Sequence, residues 1–293
     1  MSAFTPVEAL APDAEDLARV VATALREDLR YGRDVTTEAT VPATAVAVAE
    51  FTPRRPGVLA GVPAVRAVLD AVLAADGYDV LEQRADGTRV RAGEPALRVR
   101  APVRGLLTAE RTALNLLCHL SGVATATAAF VDALAGTGTR ILDTRKTLPG
   151  LRLLQKYAVR CGGGVNHRFG LGDAALIKDN HVVAAGGIVP AIEAVRAAAP
   201  SLPLEVECDT LDQVRAALDA RCDLILLDNM DPPDLRAAVA MARRVPGVRL
   251  EASGGLTLGN AREVASTGVD FVAVGGLTHS SPALDLGLDL RES

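Results

Sequence analysis

Two of the chain's four histidines bracket the segment HRFGLGDAALIKDNH, His167 to His181. The chain holds 31 Lys plus Arg, yet its only lysines are Lys146, Lys156 and Lys178, all in one central stretch. A chain that uses Arg elsewhere keeps Lys where a compact point charge is wanted and a planar fork would not fit. Arg145, Lys146, His167, Arg168 and Lys178 would together form a dense positive patch in a chain whose net charge is −5. That contrast points to a small anionic ligand, with the Arg forks suited to carboxylate or phosphate. Glu207 and Asp228 add carboxylates that can hold Mg²⁺ or bond sugar hydroxyls; the competing reading is an ion pair with Lys178 or Arg145. The segments SGG (Ser253, Gly254, Gly255) and VGG (ending Gly275, Gly276) leave room for backbone N–H groups to approach a phosphate.

The elements that must carry these residues show in the apolar pattern. Six short apolar runs end in polar or Gly residues: RILDTRK, AALIKDNH, LEVECD, LILLDN, RLEASGG and FVAVGG. The last four recur about every 20–25 residues, with Ala-rich amphipathic helices such as LDQVRAALDA between them. This is the alternation of a parallel α/β sheet. No GxGxxG follows a first strand, so a dinucleotide-binding sheet is not favoured. An α/β barrel is preferred, because it gathers the strand ends at one mouth, although six strands fall short of eight. Before this region, residues 13–29 have helical spacing with Asp13 as N-cap, YGRDVTTEAT reads as a polar link, and AVAVAEF reads as a strand. PAVRAVLDAVLAADG reads as a helix ending at Gly77, followed by strands in YDVLEQ, GTRVRAG and EPALRVR. A long helix from Val103 to Leu120 marks the transition.

Hydrophobic residues make up 49 % of the chain and aromatics 3 %, with no Trp. The core must therefore be Ala, Val and Leu, which suits helices packed on parallel strands. The acidic net charge favours neither nucleic acid nor an anionic membrane, and no apolar run is as long as a membrane span. The N-terminus has no signal-peptide pattern. Four cysteines without CxxC spacing read as reduced, mostly buried thiols of a cytoplasmic protein. Cys161 reads as packing and not as a nucleophile. His119 reads as a core residue, His181 as a partner for a carboxylate, and His279 as a residue near the second Gly pair.

Several longer blocks carry a family resemblance: EDLRYGRDVTTEATVP, ERTALNLLCHLSGVAT, and the central DTRKTLPGLRLLQKYAVRCGGGVNHRFGLGDAALIKDNH, followed by LEVECD, LLDNM, EASGG and VGGLTHS. Through almost its whole length the chain resembles the quinolinate phosphoribosyltransferases. The resemblance implies an α/β protein with an N-terminal open-faced α/β sandwich (1–112) and an incomplete α/β barrel of six or seven parallel strands (113–280). The tail, 281–293, is then expected to return to the sandwich. It implies transfer of phosphoribosyl from phosphoribosyl pyrophosphate to quinolinate, with Mg²⁺, giving nicotinate mononucleotide, pyrophosphate and CO₂ in NAD biosynthesis. It further implies a homodimer or an assembly of dimers, in which Arg111 reaches the neighbour's site. Arg145, His167 and Arg168 then grip quinolinate, and Lys146 and Lys178 stand at the substrate and the pyrophosphate. Glu207 and Asp228 lie near the ribose hydroxyls and Mg²⁺, and Ser253, Gly254, Gly255, Gly275 and Gly276 cradle the 5′-phosphate. No nucleic acid or membrane partner is expected.

Four other readings compete. They are a phosphoribosyltransferase acting on nicotinate, a paralogue of the same fold tied to molybdenum transport, a Schiff-base aldolase using Lys178, and a phosphometabolite-binding regulator.

Overall fold

The computed structural model describes residues 11–291. Residues 1–10 and 292–293, the ends of the expected sandwich and tail, lie outside the described residues. The chain divides into two compact units, one made of residues 11–128, 147–163 and 277–291, the other of residues 129–146 and 164–276.

The first unit opens with helix α1, Ala14–Asp28. Asp13 caps it as expected, its carboxylate accepting the Asp16 N–H at 2.8 Å. Leu17, Val20 and Val21, spaced by three and one, form the buried stripe. The polar link is not all irregular: Asp34 accepts the Thr37 N–H at 3.0 Å and starts a short helix α2, Val35–Thr40. Strands β1 (Val46–Pro53) and β2 (Gly57–Val58) follow. Helix α3, Val62–Leu73, stops before Gly77, at Ala74, whose φ of 64° leaves the helical region. Then come β3 (Asp79–Gln83), β4 (Arg89–Val90) and β5 (Leu97–Pro102).

Helix α4 runs unbroken over 31 residues, Val103–Ala133. It is longer than the expected Val103–Leu120, because small apolar residues continue the buried face through Val123, Ala124 and Ala128. Residues 112 and 113 lie within this helix, and the compact units divide at 128/129. In contrast to the reading of its sequence, α4 is long and apolar enough to cross a membrane; 61 % of the relevant window is buried within the protein. Its Ser121 hydroxyl is fully buried and bonds both the N–H and the carbonyl of Ala60 at 3.0 Å. The buried Ser121 is thus satisfied inside the fold, as a helix packed in a core requires.

The second unit starts with β6, Arg140–Leu142. Helix α5, Arg152–Cys161, belongs to the first unit and was not legible as a helix. Next are β7 (Ala175–Ile177), α6 (Asp179–Ala185), α7 (Ile188–Ala198), β8 (Leu204–Cys208), α8 (Leu211–Asp219) and β9 (Leu224–Asp228). They lead to α9 (Pro232–Ala242), β10 (Arg249–Ser253), α10 (Ala261–Ala265) and β11 (Phe271–Ala273); α11 (Gly276–His279) and β12 (Leu286–Arg291) then carry the chain back into the first unit. The caps are local: Thr210 and Gln213 make a reciprocal capping box on α8, and Asp231 accepts the Asp234 N–H ahead of α9.

In the first unit, a four-stranded sheet has the order β12-β1-β5-β3, with β12 antiparallel to β1. The tail strand β12 thus forms an edge of this sheet. In the second unit, the six apolar runs are the six strands of one parallel sheet, ordered β6-β11-β10-β9-β8-β7. The edge strands β6 and β7 do not pair. Val165 adds a single parallel bridge beside Leu142 of β6, and its N–H donates to Ile141 O at 2.8 Å. From there His167 reaches Glu205 on β8, so the sheet curls as an incomplete barrel does.

Candidate active site

The carboxyl ends of the six strands surround a cavity of about 450 Å³. Its wall holds Arg145, Lys146, His167, Arg168, Lys178, Glu207, Asp228 and Ser253, eight of the residues singled out by type and spacing. Thr144, Leu176, Leu226, Glu251 and Ala273 complete it. Parallel register explains the convergence: Glu207 lies beside Leu226, and Asp228 beside Ser253. Gly254 and Gly255 follow β10, and Gly275 and Gly276 follow β11, beside the wall and not in it. Gly254 has φ 95°, and a Cβ there would fall 2.1 Å from Asn229 Oδ1. Only Gly lets the backbone pass so close. Arg111 is an exposed residue of α4.

Charge in the cavity is arranged in two groups. Arg145 and Arg168 oppose each other: burial first, then the Arg145 charge, pulls the Arg168 guanidinium below its ordinary range. Arg168 Nη1 donates to Ala174 O at 2.9 Å, but the Nε groups of Arg145 and Arg168 are shielded from solvent without a protein acceptor. Two adjacent cations with unspent donors favour an anion between them. Lys146, exposed, stands next to Arg145 and donates its backbone N–H to Thr144 Oγ1 at 3.0 Å.

The second group is acidic. Glu207 and Lys178 form an ion pair across β8 and β7. Asp228 accepts from Asn229 Nδ2 at 2.6 Å, and burial, then the Glu207 charge, raises its carboxyl above the usual range. Glu207 and Asp228 thus offer neighbouring oxygen ligands with excess negative charge, the donor chemistry a hard divalent cation takes.

Beneath these lies a polar core that sequence reasoning missed. Glu205 and Glu251 are 4 % and 1 % exposed. His167 Nε2 lies 2.7 Å from Glu205 Oε2 and 3.5 Å from Glu251 Oε2. Burial, reinforced by the Glu205 charge, holds the Glu251 carboxyl well above the usual range. Asp143, fully buried at the end of β6, accepts the His167 N–H at 2.9 Å and Asn166 Nδ2 at 2.5 Å. The available signal was a carboxylate inside an apolar strand: LEVEC and RLEAS each place Glu where solvent cannot reach.

The remaining residues have structural partners. His119 accepts from Gln155 Nε2 at 2.9 Å, and burial lowers its pKa, as suits a core histidine. His181 pairs with no carboxylate; its Nδ1 accepts the Lys178 N–H at 2.9 Å in the capping box of α6. His279 bonds Ser280 Oγ at 2.6 Å. Burial pushes the Cys161 thiol up to about 12, which makes it inert. All four cysteines are free.

The comparisons with known proteins agree with this geometry. The family model "Quinolinate phosphoribosyl transferase, N-terminal domain" matches residues 34–121, and "Quinolinate phosphoribosyl transferase, C-terminal domain" matches residues 123–289. The chain is 60 % identical to the carboxylating nicotinate-nucleotide pyrophosphorylase of Mycobacterium leprae over 94 % of this chain and 98 % of that protein. It is 40 % identical to the human protein of the same name, over 94 % of this chain and 91 % of that one. The solved structure of the nicotinate-nucleotide pyrophosphorylase from Francisella tularensis superposes with a TM-score of 0.91 at 37 % identity, covering 97 % of this chain and all of that one. With both family models matched in order along the chain, it belongs to the quinolinate phosphoribosyltransferase family.

Proposed function

We propose that this chain is a decarboxylating quinolinate phosphoribosyltransferase. It joins quinolinate to phosphoribosyl pyrophosphate and releases nicotinate mononucleotide, pyrophosphate and CO₂, a step of NAD biosynthesis. The observation that carries the reading is the pair of opposed guanidiniums, Arg145 and Arg168, each with a shielded and unspent Nε in one cavity. Quinolinate is a dianion, and two forks suit two carboxylates better than the single one of nicotinate. Lys178 is exposed and bound to the Glu207 carboxylate, not set in the apolar pocket that prepares a lysine for Schiff-base chemistry.

The residues divide the work by charge. Bringing two polyanions together in a dry site is strongly repulsive, and the cationic side of the cavity offsets that repulsion while aligning the pyridine nitrogen with the anomeric carbon. Displacement there passes through an oxocarbenium-like state. Glu207 and Asp228 stand where they would stabilise that developing positive charge and bond the ribose hydroxyls. They are also the residues that would hold Mg²⁺, which supplies charge neutralisation for the pyrophosphate when bound. Lys146 and Lys178 would attract the substrate and pyrophosphate charges, and Ser253 with the Gly254–Gly255 and Gly275–Gly276 turns would receive the 5′-phosphate. Once the ring nitrogen is alkylated, its positive charge stabilises the electron pair left when the adjacent carboxylate departs as CO₂, and that ring carbon then takes a proton from solvent to give nicotinate mononucleotide.

The proposal includes a homodimer or assembly of dimers in which Arg111, exposed on α4, reaches the neighbour's site; its exposure leaves the cation accessible to a second copy. A cytoplasmic location is supported by the four free thiols. The test supplies phosphoribosyl pyrophosphate, Mg²⁺ and carboxyl-labelled quinolinate, and follows CO₂ and nicotinate mononucleotide together. Both products are expected. Turnover of nicotinate with none of quinolinate would assign the sister activity instead.

A further inference from the structure

The segment that delivers Arg168 to the cavity has little sheet to hold it. Val165 bridges to Leu142, and beyond it the backbone is fixed by side chains. Asp143 accepts the His167 N–H at 2.9 Å. One residue on, the Arg168 N–H donates to His167 Nδ1 at 2.8 Å. A ring nitrogen that accepts an N–H carries no proton, so in this arrangement the imidazole hydrogen sits on Nε2. Nε2 then donates to Glu205 Oε2 at 2.7 Å, deep in the barrel. Both ring nitrogens are therefore bonded within the protein, and the ring is 7 % exposed.

We infer that Glu205 is a positioning residue: it locks His167 in the Nε2–H tautomer, and that tautomer anchors the backbone of Arg168 and so aims its guanidinium at the substrate carboxylate. His167 on this inference is also a positioning residue and not part of the carboxylate grip. The inference rests on the proposed transferase reading and deepens it. The physical logic is a chain of directed hydrogen bonds. If the ring hydrogen moved to Nδ1, it would face the Arg168 N–H, donor against donor, and the anchor would be lost. Glu205 prevents this by offering an acceptor on the far side of the ring. Glu251 lies beside the same nitrogen, its Oε2 3.5 Å from Nε2. Glu205 does not line the substrate cavity. Its effect arrives through a main-chain position, and small misplacements of an aligning group cost large factors in rate.

The test combines ring ¹⁵N spectroscopy of His167 with steady-state kinetics on the full chain. In the ligand-free native protein, His167 is expected to show one protonated and one unprotonated ring nitrogen, with Nε2 the protonated one. Glu205→Leu keeps volume but removes the acceptor. It should mix the tautomers and raise KM for quinolinate at least about tenfold, while KM for phosphoribosyl pyrophosphate changes less than about twofold. Glu205→Gln retains an acceptor oxygen and should restore the single tautomer and most of the quinolinate affinity. A merely structural role would move both KM values together and leave the tautomer alone. The inference is overturned if Glu205→Leu leaves the tautomer and the quinolinate KM unchanged. It is equally overturned if saturating quinolinate protonates both ring nitrogens of native His167, since that would mean direct grip. This last measurement needs no variant to fold. If the native chain fails to turn over quinolinate, the functional reading falls, while the ligand-free tautomer still decides whether Glu205 holds His167.

Discussion

Lys178, at the end of β7, and Glu207, at the end of the neighbouring β8, form an ion pair across the mouth of the barrel. The pair keeps a mobile ammonium beside the acidic side of the cavity, and it holds Glu207 next to Asp228, whose carboxyl feels that charge. On the proposed reaction, each partner serves the substrate and also restrains the other. Lys178→Ala and Glu207→Gln should each lower kcat/KM by roughly 10²–10³-fold, the range for losing one preorganised electrostatic group. The double variant should lose much less than the product of the two effects, because partners in contact are not independent. A double-mutant cycle on kcat/KM measures this, and strict additivity would refute the coupling.

Arg168→Lys keeps the charge and removes the fork. Since Arg168 also spends Nη1 on Ala174 O at 2.9 Å, a lysine cannot satisfy both the loop and the ligand. KM for quinolinate should rise about 10–100-fold, about 1.4–2.8 kcal/mol, with the KM for phosphoribosyl pyrophosphate nearly unchanged. Parallel titrations of the two substrates would show this split; an equal rise in both would argue against a carboxylate grip at Arg168.

The two glycines after β10 should respond differently to alanine. At Gly254, φ is 95° and the added Cβ would fall 2.1 Å from Asn229 Oδ1, so backbone strain and a clash combine. At Gly255, φ is 59° and the Cβ would meet open space, leaving only the left-handed penalty of about 1–2 kcal/mol. Gly254→Ala should therefore lower the melting temperature more than Gly255→Ala and weaken phosphoribosyl pyrophosphate binding more. Thermal unfolding with and without that substrate ranks them, and the reverse order would contradict the geometry.

Stability should fall with rising pH through the buried Glu251. Its carboxyl is held above the ordinary range, so the folded state keeps a proton that the unfolded chain releases above about 4.3. The contribution is fully present below that unfolded value and declines as pH rises toward the folded pKa, by up to about 1.4 kcal/mol per pH unit. Glu251→Gln cannot titrate. Its melting temperature relative to the native chain should climb between pH 5 and pH 8; a gap constant across that range would mean the carboxyl is ionised throughout.

Much of the fold was open to reading because it is local. The six parallel strands follow from six apolar runs closed by polar or Gly residues, and Asp13 caps α1 through a contact three residues away. Other local signals were overlooked, such as the Asp34 cap that turns a polar link into α2. Helix α5 gave a weaker signal, since Lys156 and Gln155 sit buried on it and disguise the apolar face.

By itself, the sequence determined the chemical inventory: a cluster of Arg and Lys for an anion, two carboxylates for a cation or hydroxyls, and glycines for a phosphate. Side-chain type and period-two or 3.6-residue spacing are enough for that, since they reflect neighbours along one element. Only the tertiary structure decided which of these groups meet. It placed β6 and β7 at opposite edges of the sheet and curled that sheet until His167, in the cavity wall, met Glu205 and Glu251. Hydrogen-bond direction is the physical reason: an imidazole has two nitrogens, and which one holds the proton depends on acceptors carried by distant strands.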